Sequence, residues 1–149
     1  METRELVRVF FEEVFTKGHL DRCADIVAPV YVEHAVAPFG QQPPGAVEGP
    51  QHLEATAAWL REQFPDIKMD VEQIVEQHDR VAVLVRSTGT NLGKLNGVIP
   101  PTGKAFTARQ SHWFRVDDGH LAEHWATRED LPMLVQLGLF GPPGPPAGQ

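Results

Sequence analysis

The sequence has few of the features that mark secreted, membrane or nucleic-acid-binding proteins. Its 149 residues include one cysteine, Cys23, so no internal disulfide can form and a reducing cytoplasm is the expected compartment. The longest uninterrupted apolar run, residues 81–85, is far too short to span a bilayer. The first residues mix charged with apolar side chains, unlike a signal peptide. We therefore expect a cytoplasmic protein with no membrane partner.

Positive charge is also scarce. Lys and Arg total 13 against 20 Asp and Glu, which gives a formal net charge of −7 and no basic run. A phosphate backbone is therefore not an expected partner, and we predict no nucleic-acid binding. The chain has no G-x-S-x-G, P-loop or G-x-G-x-x-G motif. Nucleophilic hydrolysis and nucleotide chemistry accordingly have little support.

What the sequence does contain is the pattern of one globular α+β domain. Leu6, Phe10 and Val14 recur at helical spacing, and Pro50 is well placed in the first turn of a later helix. With a short second helix between them, this gives about three N-terminal helices. The Pro/Gly-rich end, residues 141–149, cannot bury apolar surface and is predicted to be a disordered tail. The folded domain should therefore span residues 1–140.

From Ile67 onward the apolar period changes from about 3.6 to 2, which is typical of strands. Ile67, Met69, Val71 and Val75 are predicted to share one face of the first long strand. Residues 89–101 form a Gly/Asn/Pro-rich excursion, too long for a tight hairpin and suited to the lip of a pocket. Helices followed by antiparallel strands predict helices packed on one face of a curved sheet.

The stretch "AFTARQSHWFRV" places two polar residues on an apolar strand face. Phe106, Ala108, Gln110, His112 and Phe114 share that face by parity, and Gln110 and His112 are its polar members. A buried imidazole and a buried amide must be hydrogen-bonded or line a wet cavity. The plainer alternative is a core histidine satisfied by a backbone group.

Whether His124 joins them depends on the turn that precedes it. A three-residue loop at residues 117–119 places His112 opposite His124, whereas a two-residue loop places Trp125 opposite His112. We favour the longer loop, because it gathers Gln110, His112 and His124 on one surface.

These three residues are the predicted catalytic group. Two imidazoles and an amide suit proton abstraction next to a carbonyl, with one group taking the proton and the others stabilising the enolate oxygen. Burial keeps a histidine neutral, which is the form a base requires. Metal binding is disfavoured, since the histidines lack the tight spacing of metal sites. The residues predicted to bind substrate are His34, Tyr31, Phe106, Phe114, Trp59 and Phe39.

Several longer stretches, among them "YVEHAV", "EGPQHLEATAAWLREQFPDI", "FRVDDGHLAEHWATRED" and "LVQLG", resemble the SnoaL-like polyketide (ester) cyclases of the NTF2-like superfamily. The resemblance covers about residues 5–139. It implies a cone-shaped roll, in which a curved sheet wraps a deep apolar cavity that helices close, and homodimers formed through the sheet. It also implies an acid/base-promoted aldol ring closure of an aromatic polyketide, without metal or organic cofactor.

The resemblance implies a role for Gln110 and His112, which match a glutamine and a histidine of the family's cavity. The family's catalytic aspartate aligns with Ala126, which cannot move a proton. Three explanations remain open. Glu129 or Asp130 takes the role, or the two histidines act alone, or the protein has lost cyclase activity.

The leading hypothesis is a cofactor-free acid/base enzyme acting on a hydrophobic, polyketide-like carbonyl compound. The alternative is a non-catalytic protein that binds a hydrophobic ligand, which Ala126 favours. An epoxide hydrolase or isomerase of the same superfamily is a weaker alternative, because carboxylates are scarce on the predicted inward faces.

Overall fold

The computed structural model describes residues 1–37 and 48–141. Four α-helices are present in these ranges: α1 (Thr3–Arg8), α2 (Cys23–Ile26), α3 (Gly49–Gln63) and α4 (Asp130–Gln136). Helix α1 continues as a π-helix over Val9–Thr16, and a 3₁₀ turn, Leu20–Arg22, precedes α2. No helix of the described part is long and apolar enough to cross a membrane. Phe39 and almost all of the predicted tail lie outside the described residues.

The N-terminal helix buries the predicted apolar face. Leu6, Phe10 and Val14 are all buried, together with the neighbours Val7 and Phe11. These apolar pairs recur every four residues, which is wider than the 3.6 residues of an α-helical turn. Winding with i→i+5 hydrogen bonds from Val9 onward keeps the later pairs on the same side. Helix α3 begins as predicted, with Pro50 in its first turn.

The sheet has five strands in the order β1-β5-β4-β3-β2. They are β1 (Val27–Glu33), β2 (Lys68–Gln77), β3 (Arg80–Thr90), β4 (Ala105–Asp117) and β5 (His120–Arg128). Strands β2 to β5 form the predicted antiparallel meander, while β1 pairs with β5 in parallel at the edge. The helices pack on one face of this curved, open sheet, so the predicted α+β class is confirmed.

The turn between β4 and β5 has two residues, and the prediction of a three-residue loop was wrong. Asp117 pairs with His120, and the two loop residues, Asp118 and Gly119, have φ angles of 48° and 71°. Positive φ at both central positions is the geometry of a type I′ turn, whose twist matches that of the strands it joins.

A β-bulge then shifts the register of β5 by one residue. Phe114 therefore lies opposite His124, and His112 lies opposite Ala126. The two-residue turn alone would place His124 on the opposite face from His112. The extra residue, Ala122, reverses this, so both histidines lie on the inner face. They are diagonal neighbours and not the direct pair that was predicted.

Strand β2 carries a second bulge. Ile67 and Met69 are buried as predicted, but the register shifts between Val71 and Gln73. The later residues therefore exchange faces: Ile74 packs against the core, while Val75 is 62% exposed. The prediction that Val75 lies on the inner face was wrong.

Candidate active-site cavity

The helices and the inner face of the sheet enclose a cavity of about 160 Å³. Most of its wall is apolar. Its polar lining residues include Glu33, His52, Gln63, Ser87, Asn96, Gln110, His112, His124, Arg128 and Asp130. A mainly apolar wall with a few convergent polar groups is the usual form of a small-molecule site.

The excursion after β3 forms part of the cavity wall, as its composition indicated. Leu95 and Asn96 line the cavity from this loop. Asn91 holds the loop in place: its Oδ1 accepts hydrogen bonds from Thr102, and its Nδ2 donates to the Gly93 carbonyl at 2.8 Å. The lip is therefore an ordered structural element.

The structure brings Gln110, His112 and His124 together in one hydrogen-bonded chain. His112 Nδ1 lies 2.8 Å from His124 Nε2, and the two rings are within 6° of parallel. His112 Nε2 lies 2.7 Å from Oε1 of Gln110. Both imidazoles are buried, so the chain replaces the hydrogen bonds that water would otherwise supply.

Glu33 completes the chain, and the sequence reasoning missed it. Its two carboxylate oxygens lie 2.8 and 2.9 Å from His124 Nδ1, and Oε1 also accepts a hydrogen bond from the Ala35 backbone N–H. Glu33 and His124 are partners in the parallel pairing of β1 with β5. The inner face therefore holds a carboxylate after all, contrary to the expected scarcity of such groups.

The side-chain alternation of β1 explains why Glu33 was missed. Hydrophobic patterning would turn the valines of "VYVEH" inward, yet Val30 and Val32 are 77% and 41% exposed. Tyr31 and Glu33 occupy the opposite face and point inward. The only sequence signal was a carboxylate adjacent to the predicted site residue His34.

The hydrogen bonds of the chain can be satisfied in two protonation states. With Gln110 Oε1 facing His112, His112 donates from Nε2 and accepts at Nδ1 from His124. His124 then donates from both nitrogens and is an imidazolium paired with the Glu33 carboxylate. If the amide turns to donate, both histidines are neutral and every bond is kept. The two states differ by one proton.

The surroundings decide which histidine carries that proton. Burial lowers the pKa of His112 well below its usual range, and the neighbouring His124 and Arg128 lower it further. His124 instead has the Glu33 carboxylate at hydrogen-bond distance. An extra proton on the pair is therefore disfavoured at His112, which stays neutral.

His34 does not fit its predicted role in substrate binding. Its Nε2 bonds Glu123 at 2.7 Å, and its ring stacks on Trp125 with the centroids 5.0 Å apart. These contacts lie on the outer face of the sheet, and His34 is not a lining residue of the cavity. It points outward because Glu33, its neighbour on the strand, points inward.

Tyr31 is partly buried and is not a lining residue of the cavity; its ring is stacked 6.5 Å from that of His124. Its hydroxyl has no hydrogen-bond partner of standard geometry within the described ranges. Burial raises the pKa of this hydroxyl, and the Glu33 carboxylate raises it further. Tyr31 therefore stays protonated and packs against the chain of polar groups.

Two of the predicted aromatic residues, Trp59 and Phe106, line the cavity. Phe114 is fully buried and is not a lining residue; its ring stacks 4.6 Å from that of His124. Phe114 therefore packs against the His124 imidazole without facing the cavity. Phe39 lies outside the described residues.

The two acids considered as substitutes for the aspartate differ in position. Asp130 lines the cavity but is paired with Arg128 at 3.1 Å. Glu129 accepts a hydrogen bond from the Arg109 backbone N–H at 2.6 Å and is not a lining residue. Neither contacts the histidine pair through a hydrogen bond in the described part of the chain. Within the same residues, no group of three or more His, Cys, Asp or Glu is arranged to hold a metal ion.

Comparison with known proteins identifies the family. A family model described as SnoaL-like polyketide cyclase matches residues 5–137, nearly the whole chain. The chain belongs to the SnoaL-like polyketide cyclase family. Among curated members, nogalonic acid methyl ester cyclase of Streptomyces nogalater is 26% identical over 125 residues, 83% of this chain and 89% of the relative. Aklanonic acid methyl ester cyclase DnrD of Streptomyces peucetius is 27% identical over 134 residues, 85% and 84% of the two chains.

Solved structures of the SnoaL-like family confirm the NTF2-like fold. Wild-type IdmH of Streptomyces antibioticus superimposes with a TM-score of 0.76 at 30% identity, over 93% of this chain and 99% of its own. A SnoaL-like polyketide cyclase of Agrobacterium tumefaciens gives a TM-score of 0.70 at 14% identity, over 93% of this chain and 100% of its own. The second similarity supports the fold alone.

Proposed function

We propose that the protein is a cofactor-free acid/base enzyme that promotes an aldol-type ring closure, or a related isomerisation, of a hydrophobic polyketide-like carbonyl compound. One observation carries the proposal: the unbroken chain Gln110–His112–His124–Glu33 in the wall of an apolar cavity. The named relatives, which are cyclases of nogalonic acid methyl ester and aklanonic acid methyl ester, support the substrate class.

The proposed reaction starts from the state in which both histidines are neutral and His112 carries its proton on Nδ1. The Gln110 amide turns away from the ring as the substrate binds, which frees His112 Nε2 to act as the base. This nitrogen takes a proton from the carbon next to the substrate carbonyl, and the proton on Nδ1 passes to His124 Nε2 across the 2.8 Å contact. The charge then rests on His124, where the Glu33 carboxylate stabilises it. This transfer avoids a buried imidazolium at His112, which its surroundings disfavour.

Gln110 is placed to stabilise the oxyanion of the enolate. When its Oε1 accepts from His112, its Nε2 hydrogens are directed away from the ring and remain available to a substrate oxygen. The enolate carbon then attacks a second carbonyl of the same molecule. Protonation of the new alkoxide by the His112–His124 pair restores the starting state, so no proton is gained or lost.

The direct test is turnover of aklanonic acid methyl ester by wild type, His112→Ala and His34→Ala, followed by chromatography with mass detection. Loss of a general base reduces turnover by a factor of about 10² to 10⁴, and His112→Ala should fall in this range. His34→Ala is the matched control, because His34 lies on the outer face. Equal turnover by wild type and His112→Ala would remove His112 from the mechanism.

A second function, non-catalytic binding of a hydrophobic ligand, is favoured by Ala126. An alanine opposite His112 leaves the aligned position of the family aspartate without an acid. Tight binding of the methyl ester by both wild type and a His112→Ala/His124→Ala double variant, with no conversion by either, would support this function.

A further inference from the structure

Ser87 is a buried polar residue of the cavity that the proposed proton chain does not use. It lies on the inner face of β3, is 1% exposed and lines the cavity. Its Oγ is fully buried and has no hydrogen-bond partner in residues 1–37 and 48–141. Its partners across the sheet, Met69 and Ala108, are both apolar. A buried hydroxyl without a partner destabilises the fold, so its retention requires another explanation.

The other side-chain hydroxyl that lines the cavity already has a partner within the protein. It belongs to Thr56, whose Oγ1 donates to the His52 carbonyl at 2.8 Å. Ser87 makes no such internal bond. Among the lining residues that the structure describes, it is the one with a fully buried, unpartnered polar atom.

We propose that the Ser87 hydroxyl is a specificity anchor, which hydrogen-bonds a ligand oxygen remote from the carbonyl held at Gln110 and His112. The proposal rests on the proposed function only for the location of that reacting carbonyl. Ser87 lies opposite Ala108, and Gln110 lies opposite Val85, so Ser87 and Gln110 occupy adjacent inward positions of neighbouring strands.

The strand geometry sets the length of the ligand. Ser87 and Gln110 lie on neighbouring strands and are offset by two residues along the strand direction. Their Cα atoms are therefore expected to be about 8 Å apart. His112 lies two further residues along β4, about 14 Å from Ser87. A ligand in contact with both ends is therefore elongated, with oxygens about 8 Å or more apart. The wall beside Ser87 includes Phe106 and Met69, which suits a planar hydrophobic body between the oxygens.

Two probes that differ by one distal oxygen test this inference without turnover. Naphthalene-2,6-diol has hydroxyls at both ends, and 2-naphthol has one. Titration of each probe, followed by fluorescence, gives dissociation constants for wild type and Ser87→Ala. Wild type should bind the diol about fivefold more tightly than naphthol, the gain of one net hydrogen bond. Ser87→Ala should bind the two probes nearly equally.

The controls separate ligand binding from a structural role. Thr56→Ala removes a cavity hydroxyl that is already bonded and should keep the wild-type preference. Ser87→Ala should melt at the wild-type temperature or above, because its hydroxyl has no partner in the protein. A clear fall in melting temperature, an unchanged preference in Ser87→Ala, or no preference in wild type would each overturn the proposal. Failure of the proposed reaction would appear in the His112→Ala turnover assay and not in these dissociation constants.

Discussion

The Glu33 carboxylate lies 2.8 Å from Nδ1 of His124, across the parallel pairing of strands β1 and β5. This contact supplies a carboxylate to the histidine pair from a strand other than the one that carries Ala126. A carboxylate behind a histidine fixes the orientation of the ring and stabilises its protonated form. The alanine at the aligned aspartate position therefore does not leave the cavity without an acidic partner.

Replacing Glu33 with Gln should reduce turnover of the methyl ester at least tenfold. The amide keeps the shape of the side chain but no longer stabilises a positive charge on His124. Glu123→Gln is the matched control, because Glu123 pairs with His34 and Arg115 on the outer face. Turnover by Glu33→Gln equal to that of Glu123→Gln would exclude the carboxylate from the mechanism.

Replacing Ala126 with Asp should raise the pKa of His112. The two residues are direct cross-strand partners, with Cβ atoms expected about 5 Å apart, and a nearby carboxylate favours the charged imidazole. Histidine C–H resonances, followed by NMR against pH, measure this change. A His112 titration that is the same in wild type and Ala126→Asp would show that residue 126 does not act on the pair.

Strand parity predicted Gln110 and His112, because β4 has no bulge between them and pairs regularly with β3. It failed for Val75, which follows the extra residue in β2. The bulges in β2 and β5 exchange the faces of Val75 and His124 relative to a regular strand, and no local residue pattern marked either one. His112 and His124 share one face, as expected. A two-residue turn followed by a bulge places them there, and not the predicted three-residue loop.

Glu33 could not be predicted because its position depends on tertiary structure. Strand β1 lies at the edge of the sheet, and its exposed valines reverse the usual hydrophobic pattern. Its register follows from parallel pairing with β5, about ninety residues away. The overall fold was accessible from sequence since helices followed by a meander specify few topologies, and the resemblance specified one of them.

If the protein forms the homodimer through the sheet that the family resemblance implies, replacing Trp113 with Glu should prevent it. Val75, Ala82, Trp113 and Trp125 form an apolar row across four strands of the outer face, and Trp113 is 49% exposed. Burying this row against a second copy would remove apolar area from water, and a carboxylate at its centre would oppose this. Light scattering after size-exclusion chromatography measures the mass. A wild-type monomer would contradict the homodimer, and a Trp113→Glu dimer would contradict its formation through this row.

Cys23 should be inert in the folded protein. It is fully buried, and burial raises the pKa of its thiol to about 12. At pH 8 the thiolate, which is the reactive form, would then be about one part in 10⁴. A chromogenic disulfide reagent should label the native protein only as fast as it unfolds, and should label one thiol per chain at once in concentrated urea. Immediate labelling of the native protein would contradict the buried position.

The neutral state of His112 should make the protein less stable in mild acid. Its pKa is lowered in the folded state, so below about pH 6.5 the unfolded chain binds a proton that the folded chain does not. The free energy of unfolding should therefore fall as the pH decreases, by up to about 1.4 kcal/mol per pH unit for this one group. Urea unfolding of wild type and His112→Gln between pH 7 and pH 5 measures the difference in slope.

The comparison of the two slopes isolates His112 from the other titrating groups. Most carboxylates stay ionised above about pH 5, and both proteins share the remaining histidines. His112→Gln should therefore lose less stability than wild type over this range, even if it is less stable at pH 7. Thr56→Ala, which changes no titrating group, should leave the wild-type slope unchanged. If instead wild type gained stability relative to His112→Gln as the pH fell, His112 would be protonated in the folded protein. The base of the proposed reaction would then have to be another member of the chain of polar groups.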